Sequence, residues 1–297
     1  MTDSIVLLVA APIVAALLPI VTGVVADRSG RFVALGFAGL QVVLAWSVLD
    51  QVLRGGRFTY EVGGYVPPFG IELVIDGLSA TMAVLVAVVA LGVLGYARVA
   101  GPRSNAFYAT YLLLVAGLSG MSITGDVFNM YVFLEITGLA AYALVASGEG
   151  GRSARAAVKY LLVGTVGASL FLLGIGFAYV ATGTLNMADL SAQLADVGYA
   201  SPLVRASFGL LVVGLFVKIA LFPVHTWQPS AYAGAPDSVS ALISALVSTV
   251  AAYALIRVVF TVFTVEFLVA NPFARTVLVG GAVASIVVGS VLAVSQR

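Results

Sequence analysis

Two ionisable residues lie inside apolar stretches, far from the nearest polar flank. Glu135 comes nine residues after Asp126, and Lys218 comes thirteen residues after Arg205. At a rise of about 1.5 Å per helical residue, Glu135 would lie roughly 14 Å along a spanning helix. Because an isolated charge at this depth costs about 2.5–3.5 kcal/mol, each side chain must face water or a partner. We therefore expect Glu135 and Lys218 to pair, either for proton transfer or as a purely structural link between two helices.

The residues after Lys218 predict a broken helix. Pro223 and Pro229 follow Lys218 within a stretch that would otherwise continue the span. Proline lacks an N–H donor, and its ring crowds the carbonyl four residues earlier. Broken helices inside a membrane line water or are buried in protein, and in transporters they mark ion sites. His225, the only histidine, lies just past the break and is either a proton-relay member or a hydrogen-bonding residue.

The remaining ionisable residues of interest lie near the ends of apolar stretches. We expect Asp76 and Asp237 to cap the helices that follow them. Arg257 and Lys159 have side chains long enough to reach the membrane surface. A place in the proton relay is the alternative role for Arg257.

The composition excludes several classes of protein. Of 297 residues, 61% are hydrophobic and only 9% are charged, whereas soluble domains have roughly 25% charged residues. The net charge of +1 gives no basis for binding nucleic acid. Without cysteine there is no disulfide framework, no thiolate zinc site and no iron–sulfur ligation. The sequence also lacks a nucleophile–base motif, a metal-ligand cluster and a phosphate loop, so we expect a transporter subunit with no cofactor or catalytic chemistry of its own.

The class that fits is an all-α polytopic membrane protein with about nine transmembrane helices, one of them broken. Each apolar stretch is long enough to cross a hydrocarbon core of roughly 30 Å. We expect the spans at 4–25, 31–53, 76–98, 106–124, 126–147, 154–181, 203–223, 237–263 and 273–294.

The distribution of basic residues predicts the orientation in the cell membrane, because Lys and Arg near span ends stay on the cytoplasmic side. One set of alternate connections holds Arg28, Arg31, Arg98, Arg103, Arg152, Arg155, Lys159 and Arg297. The other set holds Arg54, Arg57, Arg205 and Arg275. We therefore expect the N-terminus outside and the C-terminus inside.

Two longer connections lie on the predicted external side. The segment 51–75 has Gly-Gly and Pro-Pro pairs between short β-prone runs, which favours a small β-hairpin over an irregular loop. The segment 182–202 contains Asp189 and Asp196 without a basic residue until Arg205, and we expect a loop with a short surface helix.

The motifs around the buried charges resemble the proton-pumping antiporter-like family of Mrp-type multisubunit Na+/H+ antiporters, membrane-bound hydrogenases and the membrane arm of respiratory complex I. NMYVFLE, ending at Glu135, is similar to the family's glutamate helix. KIALFPVHTWQPSAY, from Lys218, is similar to its lysine helix and break. GGYVPPFGI at 63–71, with DGLS at 76–79, looks most like the D-type subunit of the Mrp-type antiporter. AVKY at 157–160 resembles the start of the family's sixth helix, which makes Lys159 a relay candidate.

The chain departs from the family pattern in two respects. Thr249 stands four residues before Tyr253, where the family usually has a lysine, and a hydroxyl can pass a proton but cannot hold the charge. Family members have about fourteen spans in two inverted repeats, and this sequence ends after the ninth.

The resemblance thus implies three N-terminal helices with the hairpin over 1–103, a five-helix half-channel over 104–263 and a ninth helix over 264–297. A partner polypeptide would supply the second repeat, or the chain is a truncated relative with impaired transport.

The function that the resemblance implies is that of a subunit of a multisubunit Na+/proton antiporter. Its implied partners are other membrane subunits, the lipid bilayer, protons and Na+ or K+. The proton-transfer candidates are Glu135, Lys218, His225, Lys159 and Thr249, and the helix-break candidates are Pro223 and Pro229. A proton-translocating subunit of a redox-driven complex and a non-conducting scaffold are the alternatives.

Overall fold

A computed structural model describes residues 3–24, 26 and 29–295 of the chain. Arg28 and Arg297, which contribute to the orientation prediction, lie outside these residues. The helices in chain order are α1 Asp3–Gly23, α2 Ser29–Gly55, α3 Gly77–Ala100, α4 Asn105–Ile123, α5 Val127–Ala146, α6 Gly151–Thr182, α7 Met187–Val197, α8 Pro202–Ile219, α9 Gln228–Gly234, α10 Asp237–Ala270 and α11 Pro272–Ser295.

Nine of these described helices, all except α7 and α9, are long and apolar enough to cross a membrane. Every predicted stretch corresponds to one of them, with ends that differ by a few residues. The prediction of an all-α polytopic membrane protein is confirmed, and the chain is a multi-pass membrane protein.

A two-stranded antiparallel hairpin follows α2, as the glycine and proline pairs predicted. Strand β1 (Phe58–Glu61) pairs with β2 (Glu72–Ile75), with Phe58 opposite Ile75. The short helix α7 lies in the other long connection, which also matches its prediction. The side chain of Asn186, at the start of α7, donates to the Glu72 carboxylate at 2.9 Å, so the hairpin and α7 lie together. We call this face of the bundle the hairpin side.

Two aspartates at helix starts were predicted to be caps, and the structure confirms one of them. The Asp76 carboxylate accepts from the Ser79 N–H at 2.9 Å, and the Ser79 hydroxyl accepts from the Asp76 N–H at 2.7 Å, which forms a capping box for α3. The prediction for Asp237 is wrong, because Pro236 occupies the capping position and Asp237 is already the first helical residue. The negative charge of Asp237 in the first turn therefore stabilises α10 only through its interaction with the helix dipole.

Small residues let the central helices approach closely. A Cβ atom placed on Gly214 of α8 would lie 2.7 Å from the Gly167 carbonyl oxygen of α6, which is too close for any side chain. Gly174 meets Leu211 across the same contact. Close contact of backbones through glycine is a common way for membrane helices to associate without a hydrophobic driving force. This contact at Gly214 fixes the position of α8 one helical turn before Lys218.

The eighth span, α10, is irregular. It contains two π-helical segments, Ile243–Val247 and Val258–Phe263, and Thr264 has a φ of +67°. The predicted domain boundary after residue 263 falls at this irregularity, although the helix continues to Ala270. The three-part division of the chain stays a prediction.

Candidate proton-transfer site

The break in the seventh span lies where proline chemistry requires it. Helix α8 ends at Ile219, four residues before Pro223, and this is the carbonyl that the Pro223 ring would crowd. Ala220, the next residue, adopts the left-handed conformation with a φ of +65°. The indole N–H of Trp227 donates to the Val217 carbonyl at 2.9 Å, which satisfies one of the acceptors that the helix end exposes.

The break is also connected to its neighbours. The Phe222 N–H donates to the Ser285 hydroxyl of α11 at 2.9 Å. Pro229, predicted as a second breaking residue, occupies the first turn of α9. Proline is favourable there because its missing N–H would have no helical partner. Pro229 thus lies where the broken segment ends and the next helix begins, and its part in breaking the helix stays a prediction.

Glu135 and Lys218 form the expected ion pair. The Lys218 amine lies 3.3 Å from the Glu135 carboxylate, and their side chains are 8% and 29% exposed, respectively. Both α5 and α8 begin on the hairpin side, so they run parallel. Because helical side chains tilt toward the N-terminus of their helix, the long Lys218 side chain extends back along α8 to the level of Glu135. The pair thus lies in the interior of the bundle.

Tyr142 is a second partner of Lys218, and sequence reasoning missed it. The Lys218 amine donates to the Tyr142 hydroxyl at 3.3 Å. Glu135, Gly138 and Tyr142 share one face of α5 because they are spaced by three and four residues. A Cβ atom on Gly138 would lie 3.3 Å from the Lys218 amine, and one on Gly164 of α6 would collide with the Tyr142 hydroxyl. The Glu-x-x-Gly-x-x-x-Tyr spacing was the available signal.

An aromatic stack connects Tyr142 to the segment after the break. The Tyr142 ring meets the Tyr160 ring edge-on, with centroids 4.5 Å apart. Tyr160 stacks face to face on Trp227 at 4.1 Å. All three rings are buried. The stack thus joins α5 and α6 to the segment after the break.

The other predicted relay residues lie away from the ion pair. His225 is half-buried after the break, and its Nδ1 atom is buried without a hydrogen-bond partner within the described chain. Lys159 is exposed, and its amine donates to the Ser230 hydroxyl of α9 at 3.3 Å. Thr249 is half-buried on α10 and makes no side-chain hydrogen bond to any residue that the structure describes. The structure thus groups Glu135 with Lys218 and does not bring the other three into contact with them.

A cluster of polar side chains lies beside Thr249 and was not predicted. The Gln228 amide donates to the Tyr232 hydroxyl at 3.0 Å, and Tyr232 lies 3.2 Å from the Ser248 hydroxyl. The cluster joins α9 to α10. Ser248, rather than its neighbour Thr249, provides the hydroxyl at this junction.

Arg257 forms a partly buried ion pair rather than extending to the membrane surface, so that prediction is wrong. Its guanidinium donates twice to the Asp76 carboxylate, at 2.5 and 2.7 Å, and its Nε donates to the Tyr253 hydroxyl at 2.8 Å. Tyr253 in turn donates to the Ser122 carbonyl at 2.6 Å. Because Asp76 and Arg257 lie 181 residues apart, no local sequence pattern predicts that they pair.

Asp76 titrates at an unusually low pH because of this pairing. Partial burial by itself would raise the pKa of Asp76, but hydrogen bonds from Arg257 and from the Ser79 N–H outweigh it and lower the pKa to about 2. The carboxylate is therefore charged throughout the physiological range. It holds the start of α3 to α10 on the hairpin side.

Comparison with known proteins places the chain in a family. A family model described as NADH:quinone oxidoreductase/Mrp antiporter, TM, matches residues 124–297. NADH-quinone oxidoreductase subunit N of Desulforudis audaxviator is 46% identical over 85% of this chain and 51% of its own length. The D-type subunit of the Na(+)/H(+) antiporter of Bacillus subtilis is 32% identical over 87% of this chain and 52% of its own.

A solved structure shows the same fold. A chain of the membrane-bound sulfane sulfur reductase, an archaeal respiratory membrane complex, is 32% identical and superposes with a TM-score of 0.84, covering 91% of this chain and 56% of that one. This chain spans about half the length of the curated relatives that it matches. It belongs to the NADH:quinone oxidoreductase/Mrp antiporter transmembrane family.

Proposed function

We propose that this chain is a subunit of a multisubunit monovalent cation/proton antiporter of the cell membrane, in which it forms one proton half-channel. The observation that carries the proposal is the Glu135–Lys218 ion pair, which lies inside the bundle next to the break in α8. A buried ion pair stabilises a fold little more than apolar packing would, so its presence beside non-helical backbone favours a role in ion movement. The similarity to the D-type subunit of a Na(+)/H(+) antiporter supports the same interpretation.

Proton movement in this proposal depends on opening and closing the pair. While the pair is closed, the Glu135 carboxylate stabilises the Lys218 ammonium ion, which is otherwise almost fully desolvated. When the pair opens, the ammonium ion loses its counter-charge, and proton release becomes favourable. Tyr142 gives the amine a hydrogen-bond partner in the closed state.

The side opposite the hairpin would connect the pair to cytoplasmic water. His225, Lys159 and the Gln228–Tyr232–Ser248 cluster all lie on or near the broken segment. We place this side in the cytoplasm because the connections there carry more arginine and lysine than those on the hairpin side. Other membrane subunits of the complex are the proposed partners, and protons with Na+ or K+ are the transported ions.

Substitution of either member of the pair tests the proposal. Glu135→Gln and Lys218→Ala in the assembled complex should reduce cation-driven pH changes in inverted membrane vesicles to the level of vesicles without the complex. The reason is that neither variant retains both charges of the pair. The measurement is quenching of a pH-sensitive dye after addition of NaCl or KCl, with complex assembly followed by co-purification.

Two exposed residues provide matched controls. Glu149→Gln removes a carboxylate from the connection after α5, and Arg275→Ala removes a positive charge from the start of α11. Both variants should transport like the unaltered complex. Full transport by Glu135→Gln or Lys218→Ala in a normally assembled complex would contradict the proposal.

A subunit of a redox-driven proton pump is the second candidate. The 46% identity to an NADH-quinone oxidoreductase subunit N favours it, as does the fold match to a chain of an archaeal respiratory complex. The same half-channel would then be driven by electron transfer in other subunits. Purification of the native complex separates the two candidates, because iron–sulfur or nickel-containing subunits would identify the redox-driven type and small membrane subunits alone would identify the antiporter.

A non-conducting scaffold is the third candidate, and Thr249 favours it. The residue has no charge and no side-chain hydrogen bond among the described residues. A scaffold should tolerate Glu135→Gln and Lys218→Ala together. Normal transport by a complex carrying both substitutions would therefore support the scaffold and not the half-channel.

A further inference from the structure

A basic cleft on the side opposite the hairpin belongs to no part of the proposed proton path. It has a volume of about 550 Å³ and is lined by Arg31 of α2, Arg98 of α3, Arg103 of the α3–α4 connection, Phe32 and Tyr108. We call it the arginine cleft. Its volume is in the range of small-molecule binding sites. Among the residues that the structure describes, none that lines the cleft is acidic.

Contacts between three helices hold the arginine cleft in shape. The side chain of Asn105, at the start of α4, accepts from the Gly30 N–H of α2 at 3.0 Å. A Cβ atom on Gly30 would lie 3.1 Å from the Pro19 side chain of α1 and 3.2 Å from the Tyr108 ring. These contacts hold the start of α2 next to the start of α4, where Arg31 and Arg103 line the same cleft.

The arginines of the cleft have unused hydrogen-bonding capacity. The Nε atom of Arg31 is buried and has no hydrogen-bond partner within the described part of the chain. Its guanidinium lies 4.9 Å from the centre of the Phe32 ring, and Arg103 donates only a long 3.4 Å bond to the Arg98 carbonyl. Three arginines line the cleft, at positions 31, 98 and 103. The described lining of the cleft therefore has an excess of positive charge.

We propose that the arginine cleft binds the phosphate headgroup of an anionic phospholipid. Guanidinium groups match phosphate oxygens in paired hydrogen bonds, and basic pockets between membrane helices on the cytoplasmic side bind such headgroups. The cleft lies at the ends of three spanning helices, where lipid phosphates lie. Phe32 is 66% exposed, so its ring can pack against the glycerol and the start of the acyl chains. A soluble anion would make no comparable apolar contact with this ring.

Retention of lipid by the purified full chain tests the proposal. The protein in a neutral detergent is given equal amounts of phosphatidylglycerol and phosphatidylcholine, and the bound lipid is measured by native mass spectrometry. We expect one retained phosphatidylglycerol with a strong preference over phosphatidylcholine. Arg31→Gln/Arg103→Gln should weaken this preference at least about fivefold, because it removes charge-assisted hydrogen bonds to the phosphate.

A second double variant controls for a general effect of charge. Arg152→Gln/Arg155→Gln removes the same charge from exposed positions of α6 on the same side of the bundle. It should retain phosphatidylglycerol like the unaltered chain. Equal loss in the two double variants, or no loss in either, would overturn the proposal. Displacement of the lipid by millimolar inorganic phosphate would also overturn it, because the occupant would then be a free anion.

The test also holds if the first double variant does not fold. Arg103 lies in a connection and not in a helix, so Arg103→Gln alone should purify normally. It should lower the phosphatidylglycerol preference by a smaller factor. An unchanged preference in Arg103→Gln would count against the proposal.

Discussion

At the scale of single residues, the site combines one pair that local rules predict with one partner that they do not. Hydropathy shows that Glu135 and Lys218 lie deep in their spans, and the cost of burying a charge then requires a partner. Nothing in that reasoning involves Tyr142, because a tyrosine inside an apolar stretch carries no comparable cost. Only the structure, in which α5 and α8 both pack against α6, shows that its hydroxyl lies 3.3 Å from the Lys218 amine.

Removing the Tyr142 hydroxyl should slow transport without abolishing it. Tyr142→Phe deletes one hydrogen bond to a charged group and leaves the ion pair in place, so we expect transport to fall by about tenfold, which corresponds to about 1.4 kcal/mol. The measurement is the initial rate of the dye response across a range of pH, and its midpoint should move. Tyr179→Phe, at an exposed position of α6, should leave both rate and midpoint unchanged. A rate and midpoint for Tyr142→Phe equal to those of the unaltered complex would show that the hydroxyl has no part in proton loading.

The Asp76–Arg257 pair should make stability depend on pH only in acid. The pKa of Asp76 is about 2 in the folded protein against the ordinary 3.8, so the charged carboxylate stabilises the fold above about pH 4 and this contribution is lost as the pH falls toward 2. Asp76→Asn keeps a capping residue but removes the charge. We expect it to lower stability at neutral pH by about 1–3 kcal/mol.

The difference in melting temperature between unaltered protein and Asp76→Asn in detergent measures this contribution. It should stay constant between pH 7 and 5 and shrink below pH 4, within the window set by the two pKa values. Asp50→Asn breaks an exposed pair with Arg54 and should change stability by less than about 1 kcal/mol. A difference for Asp76→Asn that stays constant down to pH 3 would be inconsistent with the low pKa.

At the scale of elements, the position of α8 is set by glycines at its contact with α6, and its end is set by a proline that cannot donate a backbone hydrogen bond. Glycines bring α8 onto α6, and the crowding imposed by Pro223 ends the helix at Ile219, one residue after Lys218. The amine thus projects from the last turn of a helix whose end is held by Trp227. Sequence rules predict a break at Pro223, although the expected span runs to residue 223 and the helix ends at Ile219. They do not predict the two π-helical segments of α10, which depend on contacts with distant helices.

A side chain at the α6–α8 contact should displace Lys218. Gly214→Val places a branched group 2.7 Å from the Gly167 carbonyl, so we expect a loss of about 1–3 kcal/mol of stability and a clear loss of transport. Gly209→Val on the same helix adds the same atoms where nothing lies within 4 Å, and it should do little. The measurements are the melting temperature in detergent and the vesicle assay. Equal effects of the two variants would show that α8 is not positioned through Gly214.

At the scale of the whole molecule, hydropathy predicts which segments span the membrane. It does not predict which of those helices lie next to one another. The nine spans, the hairpin and α7 all follow from local composition. The contacts of Asp76 with Arg257 and the convergence of three arginines on one cleft require knowing which helices are adjacent. A single sequence carries no information on that adjacency, and this is why both arginine features came only from the structure.

The hydrogen bond from the Phe222 N–H to Ser285 has a mechanical consequence. It fastens the ninth helix to the backbone four residues beyond Lys218, at a point where no helical ladder absorbs displacement. Helix α11 presents most of its length to its surroundings. A neighbouring subunit that displaces α11 would therefore also displace the backbone next to the Lys218 amine, so this one bond would couple movement of α11 to the Glu135–Lys218 ion pair.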